Sequence, residues 1–129
     1  MVCSGKINSF KRIIHLFLFS YDPQTEIWTE VEPLTSARLC LGLGGLDGLL
    51  YAVGGVIKHS ISNLVESYNP VENKWSTMAP MIKKRCSLSV SAVEGYLYAV
   101  GGEDGRGLSK IDSIERYDPK TDSWSMVRN

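Results

Sequence analysis

The chain has 129 residues, with 14 Lys plus Arg against 14 Asp plus Glu, so its formal charge is zero. That length suits one ordinary domain or a piece of a larger one. The charge balance lacks the basic surplus that nucleic-acid binding needs, and 43% hydrophobic residues without a low-complexity tract is a globular composition.

In chain order, the first segment is a leader, residues 1–20. Lys6, Lys11 and Arg12 precede "IIHLFLF" (Ile13 to Phe19), an outline that brings a signal peptide to mind. His15 interrupts the apolar run and no small-residue cleavage site follows it, so secretion is not the expectation. The run is also far too short to cross a membrane. A strand over 13–19 is expected instead. Cys3, Cys40 and Cys86 form an odd set without a paired spacing, and no Asn-x-Ser/Thr acceptor occurs. These features favour reduced thiols and a cytoplasmic protein over a disulfide framework or a zinc site.

From residue 21 the chain repeats itself. Trp28, Trp75 and Trp124 lie 47 and 49 residues apart, and Tyr21, Tyr68 and Tyr117 keep the same two spacings. Arg38 to Arg85 and Gly54 to Gly101 are each 47 apart. Each unit reads as four short strands. After Arg38 comes "LCLGLGGL" and after Arg85 "CSLSVSAV", both alternating with period two, as a strand does. The small residues on one side, Cys40, Gly42 and Gly44 against Ser87, Ser89 and Ser91, imply close packing there.

Asp47-Gly48 and Glu94-Gly95 then mark hairpin turns. They lead into "LLYAV" and "YLYAV", apolar enough for strands covered on both faces. The pairs Gly54-Gly55 and Gly101-Gly102 end those strands, because glycine alone accepts left-handed angles and close approach cheaply. A polar loop, a third strand ("NLVESY" or "DSIERY") and a thrice-written turn follow: "YDPQTEIW", "YNPVENKW" and "YDPKTDSW". In that turn Asp or Asn bonds its own backbone while Pro presets φ. The tryptophan opens the fourth strand.

Four strands per unit of about fifty residues point to a propeller blade. The combination of Gly-Gly, a loop of a dozen or so residues, "YDP" and Trp resembles kelch repeats. "PL" at Pro33-Leu34 before Arg38 and "PM" at Pro80-Met81 before Arg85 are similar to the kelch-like subgroup. The resemblance covers Tyr21 to Asn129, about five-sixths of the chain. The expected fold is thus all-β, a partial kelch β-propeller. It comprises a trailing half-blade over 21–32 and complete four-stranded blades over 33–79 and 80–129.

Counting back 47 residues from Gly54-Gly55 reaches Ile7-Asn8, so the first copy of the Gly-Gly strand is missing by sequence. Two and a half blades cannot close a ring, which typically takes four to eight. The expectation is a fragment, an isoform or a unit that self-associates through open blade faces, with the fragment favoured.

Catalysis finds no support. The two histidines, His15 and His59, have no converging nucleophile and acid. "GLGGLDG" (Gly42 to Gly48) has the wrong glycine spacing for a nucleotide loop, and a strand follows it where a helix should open. Metal-ligand spacing is absent, as is the histidine supply that a copper-dependent propeller oxidase requires. No cofactor is expected. Glu66 and Glu115 stay in phase and read as structural acids.

Binding remains. The loops "VIKHSISN" (56–63) and "EDGRGLSKID" (103–112) differ most between copies, and insertions in repeat proteins collect on the binding side. The resemblance implies that these loops form a partner-binding face, with Arg38 and Arg85 projecting at the channel mouth. That face would carry Arg38, Lys58, His59, Lys83, Lys84, Arg85, Arg106 and Lys110 against Glu103 and Asp104. An acidic peptide segment is the expected partner; the alternative is that these are ordinary solvated loop charges. Kelch-like proteins generally join such a propeller to BTB and BACK domains and serve as substrate adaptors of cullin-based ubiquitin ligases. Neither domain lies in these residues, so part of the substrate-recognition half is the expectation. A cytoskeletal, actin-binding or scaffolding role is the alternative. Neither nucleic acid nor membrane is an expected partner.

Overall fold

A computed structural model describes residues 2–5, 18–105 and 109–128, which form strands and turns. The chain divides into two compact units, Met1–Ala37 and Arg38–Asn129.

The first unit holds a three-stranded antiparallel sheet of β1 (Val2–Gly5), β2 (Leu18–Asp22) and β3 (Ile27–Val31), in that order. Of the strand expected over 13–19, residues 13–17 lie outside the described residues, and β2 begins at Leu18. The turn between β2 and β3 follows the "YDP" logic: the Asp22 carboxylate accepts the Gln24 N–H at 2.9 Å. That bond, with another from the Thr25 side chain, holds the Asp22 carboxyl below its ordinary value. Tyr21 and Trp28 are opposite each other and their rings stack at 4.8 Å. The strand β1, which no motif marks, lies beside β2 and so completes a third strand next to the expected half-blade.

The second unit contains two blades. The first has β4 (Gly42–Leu46), β5 (Leu49–Val53), β8 (Val65–Asn69) and β9 (Lys74–Met78). A two-stranded hairpin, β6 (Val56–Ile57) and β7 (Ser60–Ile61), stands in the loop between β5 and β8. The second blade has β10 (Ser89–Val93), β11 (Tyr96–Val100), β12 (Ile114–Asp118) and β13 (Ser123–Val127). All pairings are antiparallel, and the registers place Tyr68 opposite Trp75 and Tyr117 opposite Trp124. The repeat spacing of those markers is therefore the spacing of the cross-strand aromatic pair, at 5.2 Å between ring centroids in both blades. Each tyrosine hydroxyl also donates to the residue that closes the turn, Asn73 at 2.7 Å and Asp122 at 2.8 Å.

The core lies between the two blades. Leu46, Tyr51, Val53 and Val65 on the front of the first meet Leu88, Leu97, Ala99 and Tyr117 on the back of the second, with Met81 among them. Small residues in β4 allow this approach. A Cβ on Gly44 would sit 2.6 Å from a Val90 methyl, and Gly42 is blocked by the other methyl of the same side chain. At the outer edge, the Trp124 indole donates to the Ala79 carbonyl at 2.9 Å and Asp122 accepts the Ala79 N–H at 2.9 Å.

The register-matched front of the second blade is uncovered. Val53 and Leu46 are 0% and 7% exposed, whereas their counterparts Val100 and Val93 are 40% and 51% exposed. Ser89 and Ser91, which replace Gly42 and Gly44, face outward.

Candidate protein-binding face

Strand directions place several loops at one end of the second unit. These are the segments entering β4 and β10, the loops leaving β5 and β11, and the chain that runs from β9 to β10. Lys58, His59, Lys83, Lys84, Lys110, Glu103 and Asp104 all lie in them. Backbone hydrogen bonds tie the loops together. Leu39 and Val56 exchange two, at 3.0 and 2.7 Å, and Cys86 and Glu103 exchange two, at 3.0 and 2.9 Å. Two more link the blades: the Gly55 N–H donates to the Arg85 carbonyl and the Ser87 N–H to the Cys40 carbonyl, both at 2.8 Å. The second glycine of each pair is what lets the chains pass so closely. Gly55 and Gly102 have φ of 96° and 93°, and a Cβ there would meet the Leu39 or Cys86 carbonyl oxygen at 2.7 or 2.5 Å.

The arginines expected at the channel mouth are instead internal. Arg38 is 1% exposed and Arg85 0%. The Arg38 guanidinium donates to the Leu64 carbonyl at 2.7 Å, the Gly54 carbonyl at 3.2 Å and the Glu66 carboxylate. Arg85 repeats the arrangement with the Gly101 and Ser113 carbonyls at 2.9 and 2.7 Å and the Glu115 carboxylate, and adds the Ser113 hydroxyl. Glu115 also accepts the backbone N–H groups of Ile82 and Lys83, at 2.6 and 3.0 Å. A buried guanidinium must find acceptors for its fork of donors. The carbonyls around the Gly-Gly end and the acid on the third strand supply them, except that the Arg38 Nε is buried without an acceptor among the described residues. Each arginine is a clamp between the loop entering one strand and the ends of two others. A partner has no access to it.

The remaining expected residues are at the surface. Lys58, His59, Lys83, Lys84 and Lys110 are exposed, and Glu103 and Asp104 are half-buried beside them. Arg106 lies outside the described residues. The sequence pattern puts Cys40 and Ser87, two residues beyond each arginine, on the small-residue strand face, but they lie before the strands, at the loop end. Both are exposed in left-handed conformations, each with φ of 54°, and they bond across the blade boundary. Their repeat spacing was the signal available, but the small side chains carried no chemical cue. Ser87 also joins Gly102, Glu103, Lys110 and Ile111 around an open depression. Burial raises the pKa of the neighbouring Cys86 thiol, which keeps it protonated and unreactive. Among the described residues, no group of three His, Cys, Asp or Glu side chains is placed to hold a metal ion.

Sheets of four antiparallel strands joined through a Gly-Gly end, an Arg–Glu clamp and a Tyr–Trp pair are propeller blades of kelch type. The kelch motif matches residues 37–82 and again 84–129, so the chain belongs to the kelch-repeat family. It is 47% identical over 38 residues to the zebrafish (Danio rerio) Kelch-like ECH-associated protein 1A, a match covering 30% of this chain and 6% of that protein. It is 46% identical over 44 residues to the mouse (Mus musculus) Kelch domain-containing protein 7A, covering 34% of this chain and 6% of that one. Each match thus spans only a small part of its relative.

Proposed function

We propose that the chain is a non-catalytic protein-binding module whose loop face takes an acidic segment of a partner. One observation carries this reading. With Arg38 and Arg85 consumed by internal acceptors, the full positive charges left exposed at the loop end, among the described residues, are lysines: Lys58, Lys83, Lys84 and Lys110. Rim lysines of this kind steer encounter and favour acidic partners. They are compact charges on flexible stems, so they suit a spread of carboxylates better than one fixed bidentate contact. Kelch repeats serve as interaction modules, and the name of one relative records association with another protein, which fits this role. Within a longer kelch-like protein, the face would be part of the substrate-recognition half of a ubiquitin ligase adaptor.

The test is fluorescence polarisation with a labelled decapeptide of alternating Glu and Gly, beside the same peptide with Gln for Glu. The acidic peptide should bind at least tenfold more tightly, and its affinity should fall as salt rises from 50 to 300 mM. Equal binding of the two peptides refutes the reading.

A further inference from the structure

We infer that the β6–β7 hairpin is the specificity element of this face, with Lys58 and His59 held in direct contact with the carboxylates of the partner. This rests on the reading above and assigns it to two residues.

The argument begins with turn chemistry. Among the described residues, the second unit contains three two-residue hairpin turns: 47–48 between β4 and β5, 94–95 between β10 and β11, and 58–59 between β6 and β7. In all three, both turn residues have positive φ: 51° and 76°, 49° and 81°, 46° and 68°. Such turns favour glycine at the second position, where a side chain is strained. Asp47-Gly48 and Glu94-Gly95 obey the rule, and Lys58-His59 breaks it. The same chain therefore shows the unstrained solution twice and departs from it in the one of these three turns that lies at the loop end. A local conflict between sequence and conformation marks a place where side chains answer to something besides folding.

The mounting of the hairpin supports the same conclusion. Its base exchanges hydrogen bonds with Leu39 at 2.7 and 3.0 Å, and the Ser62 N–H returns to the Gly55 carbonyl at 2.8 Å. Its flank is fixed by the second blade, since Ile61 packs so near Gly105 that a Cβ there would lie 2.8 Å from its terminal methyl. Both tip residues are exposed. A rigid base below an exposed, strained, basic tip is a preorganised contact, which loses little freedom when a partner docks.

Two double variants separate charge from strain. Lys58→Asn with His59→Gly installs the preferred turn pair. Its melting temperature should rise by about 4 °C, while the alternating Glu-Gly decapeptide should bind about tenfold more weakly. Lys58→Gln with His59→Asn removes the ammonium and the imidazole and keeps a side chain at both positions. It should lose a similar factor in binding without the gain in melting temperature. Unchanged peptide affinity in either variant, or no thermal gain in the first, overturns the inference. A wild-type chain that ignores the decapeptide overturns the acidic-segment reading itself, a result distinct from selective failure of the variants.

Discussion

Arg85→Ala distinguishes an internal clamp from a partner contact. The side chain donates to Glu115 at 3.1 Å, to the Gly101 and Ser113 carbonyls at 2.9 and 2.7 Å, and to the Ser113 hydroxyl at 2.9 Å. Truncation leaves the Glu115 carboxylate buried with only the Ile82 and Lys83 N–H groups to offset its charge. Removing one member of a buried pair costs about 3–5 kcal/mol. Against a total stability of roughly 5–15 kcal/mol for an ordinary domain, that loss is severe. With a urea slope of about 1–1.5 kcal/mol per molar, the unfolding midpoint should fall by about 3 M. Urea titration followed by tryptophan fluorescence and far-ultraviolet circular dichroism reads this directly. Adding Glu115→Leu to Arg85→Met should recover only part of the loss, because Ile82 and Lys83 then have no acceptor for their N–H groups. A midpoint shift below about 0.5 M, together with lost decapeptide binding, would refute the clamp and restore Arg85 to the binding surface.

Three further outcomes follow from the packing. Gly44→Ala should cost about 1–3 kcal/mol by overpacking against Val90, while Ser91→Ala, its exposed counterpart, should change stability by less than about 0.5 kcal/mol; paired urea titrations check the contrast. Burial, and then the hydrogen bond to Asp122, raise the Tyr117 phenol well above its ordinary value. The folded chain therefore keeps that proton when the unfolded chain has lost it, and stability present below about pH 10 should decline as pH rises beyond it. Tyr117→Phe should melt lower at pH 7 for want of the Asp122 bond, yet show a shallower alkaline decline in thermal scans between pH 8 and 11. Val53→Thr, at a fully buried site, should cost about 1–2 kcal/mol, whereas Val100→Thr should stay within about 0.5 kcal/mol, as read by melting temperature.

Much of the fold was legible because backbone demands and cross-strand pairs leave phase-locked residues. The turn pairs at 47–48 and 94–95, the Asx turns and the Tyr–Trp partners are local, so short stretches encode them. The β1 strand was hidden for the opposite reason. Val2–Gly5 adds to a sheet through backbone hydrogen bonds, and its letters share nothing with "LYAVGG". The loop end was legible as loops, but the burial of Arg38 and Arg85 was not. Their fate depends on carbonyls 16 to 28 residues away, a convergence that only the folded chain reveals. The clue that would have placed them was the matched acid, Glu66 or Glu115, kept in phase with each arginine.

That clue generalises within this chain, because repetition itself carries burial information. Arg38 and Arg85, Glu66 and Glu115, and Tyr68 and Tyr117 are buried in both blades. Positions that change chemistry between copies tend to be exposed in at least one of them. Ser67, buried in the first blade, becomes Arg116 in the second, an exposed residue whose guanidinium lies 4.6 Å from the centre of the Tyr96 ring. Cys40 becomes Ser87, and both are exposed. The hairpin from Val56 to Ile61 is matched in the second blade by the Glu103–Lys110 bridge, which closes a connection two residues longer. A residue retained at the repeat spacing answers to a packing requirement that every blade shares. A residue that breaks phase has been released from that requirement, and its chemistry is free to be set by a partner. On that criterion the phase-locked arginines belong to the fold, and the Lys58-His59 tip, exposed and conformationally costly, is where the proposed recognition falls.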